Sequence, residues 1–459
     1  MKPSGLHLLA AVSLSLCLAM ATAAPAGTRP RYGGTLRVAI REAPASLDPV
    51  DSAQFDTIPL HSISRLIFDT LVTLDAQGQT QPGVSSSWRA GPGDQRWQFS
   101  IRRGVSFHDG TAVTSDAVAA SLRAANPNWK VFATGDAVVI ECDASTSYLP
   151  AVLALPRYGI AKRSAGKLSG SGPFAVSGWD PSKKLTLTAR DDYWGGRSFV
   201  DSIEIEMGKS FRDQMIAVDL GKADIIEVAP EQARRAVLDG RRLENSAPAE
   251  WMALVFERNS QSAEEGSLRQ ALSLSIDRAA MNDVLLQGGG EPAGTFLPGW
   301  MTGYAFLFPS TADRQQVGEV RSGLRTAPSW TLSYEASDPL ARVMAERIAL
   351  NARDAGLTLQ PTNSKIADLR LVRMALPSLD SRVSLGEFAA RLGLPQPKFD
   401  GDPASSVYSA ESALLQSEHV IPLLYLRTVV ALSGTVKGWQ EDPDGGWHLE
   451  NVWLEMEKR

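Results

Sequence analysis

Residues 97–118 read WQFSIRRGVSFHDGTAVTSDAV. The fold class turns on whether His108 and its acidic and glycine neighbours form a chemical centre or a device for turning the chain. Trp97, Phe99 and Ile101 alternate along one side, the period of a half-buried strand. Arg103-Gly104 then turns the chain. Asp109-Gly110 is a second turn signal, because glycine tolerates positive φ and an aspartate carboxylate accepts from nearby backbone N–H groups. Thr114 stands where a helix N-cap is wanted, and Asp116 sits in the first turn, where the helix dipole favours negative charge. Val118 and Leu122, four apart, give the helix a buried face. The stretch predicts strand, turn and helix, and only His108 lacks a structural task. A metal site needs more ligands at suitable spacing. The five histidines (His7, His61, His108, His419 and His448) contain no HxH or HxxxH pair. His108 therefore reads as scaffold.

Working outward, strands and helices alternate. GGTLRVAI (33–40) reads as a strand. HSISRLIFDTLVTL (61–74) places Ile63, Leu66, Ile67, Leu71 and Leu74 at helical steps, predicting one amphipathic helix. FAVSGW and KLTLTAR, joined by DPSKK, predict a hairpin over 174–190. In GSLRQALSLSI (266–276) Leu268, Ala271, Leu272 and Ile276 form a stripe, and Asp277 is placed to cap the next helix. Leu340, Met344, Ile348 and Ala352 share one face between WTLSYEA and LTLQP, a βαβ unit with parallel strands. GSGPF (170–174) is not a phosphate loop, because no Gly-Lys-Ser/Thr follows it. Tyr193-Trp194, beside Gly195-Gly196, reads as core packing.

The 459 residues suffice for two or three domains, and 44% hydrophobic with 21% charged residues is ordinary for a globular chain. A net charge of −5 without a basic block argues against nucleic acid as a partner. The N-terminal stretch MKPSGLHLLAAVSLSLCLAMATAAPAG has Lys2, a short apolar run and small residues at 21–26, the pattern of a cleaved signal peptide over 1–26. Cys17 follows Leu16 inside the apolar run, which argues against lipidation. Cys142 is then the only cysteine left after cleavage, excluding an internal disulfide, and its setting in AVVIECDAS predicts a buried structural thiol.

The 97–118 stretch resembles the signature of the family 5 extracellular solute-binding proteins, the peptide/nickel-type periplasmic receptors of ABC importers. So do GGTLRVAIREAPASLDP, LIFDTLVTLDAQGQTQPGVSSSW, GSGPFAVSGWDPSKKLTLTARDDYWGG, LRQALSLSIDRAAMNDVLLQGGGEPA and VIPLLYLRTVVALSGTVKGW, in that order. Ala117 stands where the pattern usually has Asp. The segments after the signature helix and over 373–403 are compressed, which puts the family's peptide-amine anchor in question.

The resemblance implies an α/β, type II-like two-lobe periplasmic-binding-protein fold with the larger lobe split into two subdomains. Its expected division is 27–52, 171–250 and 431–459 for the lobe I core, 53–170 for a lobe I subdomain, and 251–430 for lobe II. The chain is expected to cross between lobes near LVFERN (254–259) and VVALSG (429–434). The implied function is a periplasmic receptor, a monomer, delivering a small solute or short peptide to an ABC permease by hinge closure, with no cofactor and no catalysis. Candidate ligand residues are Ser46 and Leu47 after the first strand, Trp251, Arg258 and Asn259 near the first crossing, and Asp380 for an amine. Arg370 and Arg373 are placed to meet a ligand carboxylate. Two other readings remain: a ligand-sensing paralogue uncoupled from uptake, and an exported hydrolase. The latter lacks a GxSxG elbow, a metal pair or a triad.

Overall fold

A computed structural model of the chain describes residues 29–51, 57–164, 166–322 and 329–455. The expected signal peptide lies outside them. Strands β1 (Thr35–Ala39), β2 (Ser85–Ala90), β3 (Arg96–Ile101), β4 (Lys130–Thr134), β5 (Ala137–Glu141), β6 (Phe174–Asp180), β7 (Lys184–Ala189), β8 (Ser202–Glu206), β9 (Ile225–Val228), β10 (Arg242–Phe256), β11 (Gly290–Pro292), β12 (Ser329–Ser333), β13 (Thr358–Thr362), β14 (Leu369–Ala375) and β15 (Val420–Leu432) build the frame. The helices used below are α1 (Ile58–Ile67), α2 (Ser115–Ala125), α3 (Phe211–Asp219), α4 (Ala263–Ser275), α5 (Arg278–Leu285), α6 (Pro339–Asp354) and α7 (Ser381–Arg391).

One eleven-stranded sheet runs in the order β6-β7-β8-β1-β9-β15-β10-β14-β12-β13, with β11 on β15. It comprises two lobes joined by two long strands. In lobe I, β1 lies parallel to β8 and β9, and the predicted hairpin is β6-β7. In lobe II, β12 lies parallel to β13 and β14, and α6 connects β12 to β13 as the βαβ reading requires. A separate antiparallel sheet, β2-β3-β5-β4, forms a subdomain over 85–141 with α2 against it.

β10 and β15 carry long aliphatic runs because their lobe II halves are buried on both faces. Met252, Leu254 and Phe256 pack toward α4 and α6, while Trp251, Ala253 and Val255 pack against Phe296 and Phe388. The pairing of β10 with β15 slips between Asn245 and Glu250, around Pro248. Proline removes a ladder donor, so this is where the two strands pass between lobes. The first crossing therefore precedes the LVFERN segment, whose Leu254 and Val255 already pair with Ile421 and Val420 deep in lobe II.

α1 ends at Ile67, shorter than the apolar spacing suggested. Phe68 turns extended and Gly172 donates its N–H to the Ile67 carbonyl at 2.9 Å. A side chain at Gly170 or Gly172 would collide with that carbonyl, so the glycines of GSGPF end the helix by close backbone approach. Leu71 and Leu74 pack in the subdomain instead.

The opening motif behaves as a turn. Gly110 has φ 78°, Asp109 accepts from Thr111 N at 3.0 Å, and Thr114 Oγ1 accepts from Ala117 N at 3.2 Å. His108 Nε2 lies 3.3 Å from the Gly172 carbonyl oxygen, and burial pushes its imidazole down to about 4, so it is neutral at physiological pH. Cys142 is half-buried rather than fully buried, and burial raises its thiol above the usual range, the reverse of an activated nucleophile.

Candidate functional site

The parallel strands of both lobes end at one cleft, the usual place for ligands in open α/β sheets. A cavity of about 220 Å³ lies there, beside the crossing strands. Arg41 and Glu42 reach it just beyond β1, Glu227 and Val228 from the end of β9, and Phe211 from the first residue of α3. Glu335 and Asp338 come from the connection between β12 and α6, and Leu371, Arg373 and Ala375 from β14. Glu250, Met252 and residues 428–430 form the wall contributed by the crossing strands.

The chamber is strongly charged. Arg373 forms a close ion pair with Glu250, and its other nitrogen is 3.6 Å from Asp338. Burial works against the guanidinium charge, but Glu250 and Asp338 keep its pKa above the ordinary range. Asp338 also caps α6 by accepting from Leu340 N at 3.0 Å. Glu227 is enclosed. Burial, reinforced by the charge of Glu42, pushes it up to about 8, although it accepts from Arg41 N at 2.5 Å. Burial raises Glu42 as well, against the pull of Arg41. The Arg41 guanidinium lies 5.5 Å over the Phe211 ring.

A second chamber of about 300 Å³ opens between the subdomain, α1 and residues 377–379 of lobe II. Phe68, Leu74, Leu155 and Leu379 make its apolar wall. Tyr193 and Trp194 line it too, rather than packing wholly in a core. They donate to Asp69 at 2.8 and 3.1 Å because that carboxylate needs partners where it is buried. On the far wall His448 bridges Asp442 (3.0 Å) and Glu450 (2.8 Å), and these hydrogen bonds push it up to about 10. Arg65 pairs with Asp442 at 2.7 Å. At the seam between subdomain and lobe II, Arg157 makes a two-pronged pair with Glu387 of α7, at 2.5 and 2.7 Å.

Of the eight residues singled out from sequence, Arg373 alone lines the hinge-side chamber. Ser46 Oγ accepts from Asp48 N, and Leu47 is buried in the lobe I core. Trp251 is fully buried and donates to the Thr295 carbonyl at 2.9 Å. Strand alternation turns it away from the face on which Glu250 and Met252 meet the chamber. Arg258 pairs with Glu265 at the start of α4, and Asn259 sits beside it, both beyond the lobe II end of β10. Arg370 pairs with Glu257. Asp380 caps α7, accepting from Arg382 N and Val383 N, and pairs with Arg382. Both arginines proposed for a ligand carboxylate already hold protein carboxylates. Glu42, Glu227 and Glu250 were missed. Their signal was an acid directly at the end of, or within, an apolar run, in RVAIRE, DIIEV and AEWM.

Among the described residues no cluster of side chains suited to a metal ion occurs, and no helix is long and apolar enough to cross a membrane. A family model described as bacterial extracellular solute-binding proteins, family 5 Middle, matches residues 79–375. The probable D,D-dipeptide-binding periplasmic protein of Escherichia coli (strain K12) is 23% identical over 396 residues, covering 78% of this chain and 74% of its own. The nickel-binding protein of Staphylococcus aureus, solved in complex with Ni(L-His)2, superposes with a TM-score of 0.76 at 16% identity, over 92% of this chain and 100% of its own. The murein tripeptide binding protein of Escherichia coli gives 0.76 at 17% identity, over 93% and 99%. At these identities the structural likeness shows the two-lobe fold.

Proposed function

The chain belongs to the bacterial extracellular solute-binding proteins of family 5, and from that premise we propose that its interlobe cleft closes on one small solute or short peptide and presents it to an ABC permease. The protein is a solute-binding receptor, and its relatives are binding proteins rather than enzymes. Location in the periplasm as a monomer, and binding without turnover, complete the reading. The observation that carries it is the charged cavity at the strand ends of both lobes, beside the two crossing strands whose pairing slips between Asn245 and Glu250. Such a joint lets the lobes swing, and a ligand that touches both stabilises the closed form by its differential affinity for it.

Relatives named for dipeptides, murein tripeptide and nickel show that the fold accepts several ligand chemistries. Native mass spectrometry of freshly purified protein tests the reading. One small molecule bound at 1:1, lost when Ala341→Trp fills the hinge-side chamber, is the expected result. Turnover of the bound compound, or binding indifferent to that substitution, would overturn it.

A further inference from the structure

The hinge-side chamber holds more acid than base. Five carboxylates (Glu42, Glu227, Glu250, Glu335 and Asp338) and three guanidiniums (Arg41, Arg373 and Arg427) line it. Most are already matched. Arg373 is committed to Glu250 and Asp338, and Arg427 donates at 2.7 Å to Glu291, which is not part of the lining. Glu335 accepts from the N–H and hydroxyl of Ser337 at 3.2 and 2.9 Å. Glu42 and Glu227 have no ion-pair partner among the described residues, although Glu227 accepts from Arg41 N at 2.5 Å and from the Gln214 amide at 3.4 Å. The charge of Arg41 pulls on Glu42, but the guanidinium stacks over Phe211 and makes no ion pair with a carboxylate among the described residues. Glu42 Oε2 is buried and no donor among the described residues reaches it. A buried acceptor without a donor is costly, and two neighbouring buried carboxylates are worse, unless a partner arrives.

Building on the reading of this cleft as the ligand site, we propose that the hinge-side chamber receives the positively charged end of the solute, a protonated primary amine or a guanidinium, between Glu42 and Glu227. The cation supplies the donor that Glu42 Oε2 lacks and relieves the repulsion between the two acids. It approaches from the lobe II side, where Glu335 adds negative charge. Arg41 and Arg373 are the charges opposing it; Glu250 adds to the acidic side. Burial, reinforced by the charge of Glu42, holds Glu227 up to about 8, and burial, reinforced by Glu250 against the pull of Arg41, holds Glu42 above its usual range, so Glu227 retains a proton below about pH 8. Cation binding expels it. Affinity for a ligand whose own charge is constant therefore rises with pH and levels off above about 8.

Isothermal titration calorimetry of the purified protein with probes matched in length but not in charge tests this: 1,5-diaminopentane, pentane-1,5-diol and glutarate, with L-argininamide as the guanidinium. The expected result is at least tenfold preference for the cationic probes over diol and glutarate, with proton release below pH 8. Glu42→Gln and Glu227→Gln should each lose that preference without lowering the melting temperature. Glutarate or the diol binding as well as the diamine, or cation affinity unchanged in both variants, would overturn the inference. If the cations are inert while a co-purified solute is still displaced by Ala341→Trp, the cation inference falls and the receptor reading stands. If no probe binds and no solute co-purifies, both fall.

Discussion

At Gly110 the backbone φ is 78°, and no atom lies within 4 Å of where a Cβ would stand. A side chain there meets strain but no clash. Gly110→Ala is expected to lower stability by about 1 kcal/mol in chemical denaturation, and to leave ligand affinity unchanged. His108→Ala should likewise keep ligand affinity within about twofold, since the ring contacts scaffold backbone rather than either chamber; loss of all affinity in a folded protein would contradict the scaffold reading. His448 is a different case. Asp442 and Glu450 raise its folded pKa to about 10, above the ordinary 6.5. Its contribution is then fully present below about pH 6.5 and is lost as pH rises through about 10. The stability of the native protein should fall across that window by on the order of 2 kcal/mol after solvent screening, read as a falling melting temperature. His448→Gln should flatten the fall, and an unchanged pH profile in that variant would refute the assignment.

Elements are held by devices that differ in how local they are. α2 begins at Thr114 for reasons contained in its first turn, where Oγ1 accepts from Ala117 N, and Thr114→Ala should cost about 1 kcal/mol. α7 begins at Asp380 by an equally local cap, yet its position depends on the rest of the chain. Val383 packs into the subdomain core, Arg382 lies 5.2 Å over the Tyr148 ring, and Glu387 clasps Arg157. These contacts join lobe II directly to the subdomain across the second chamber. Glu387→Ala leaves Arg157 half-enclosed without its partner, a loss of roughly 1–3 kcal/mol. Small-angle scattering of that variant should show a larger radius of gyration than the parent. Arg157→Ala/Glu387→Ala should recover part of the stability, because no unpaired charge remains. An unaltered radius with unaltered stability would mean that the clasp does not hold the lobes together.

For the whole molecule, the cores of lobe I and lobe II are separate, with Ile58, Ala249 and Ala375 packed together between them and Val383 of lobe II seated in the subdomain core. Large cores with a thin joint favour rigid-body motion over internal deformation. A ligand that bridges the lobes should add about 1.4 kcal/mol of stability per tenfold concentration above Kd, and the melting temperature should rise with it. It should also shrink the radius of gyration. Stabilisation without compaction would place the ligand on one lobe only.

Much of this was written in local sequence. Period-two and period-3.6 apolar spacing, turn dipeptides and caps act over a few residues, so β3, α2, the β6-β7 hairpin and the β12-α6-β13 unit were legible without a structure. Ordered motifs along the chain carried the family and hence the two-lobe plan. Tertiary structure alone decided the chamber. Trp251 and Glu250 are adjacent in sequence, yet only the packing of β10 against both its neighbours says which one faces the cleft. Arg373 looked like an anion receptor until Glu250 and Asp338 occupied it. Glu42 and Glu227 are 185 positions apart and become a pair only because β1 and β9 lie side by side, where a shared low-dielectric enclosure couples their charges.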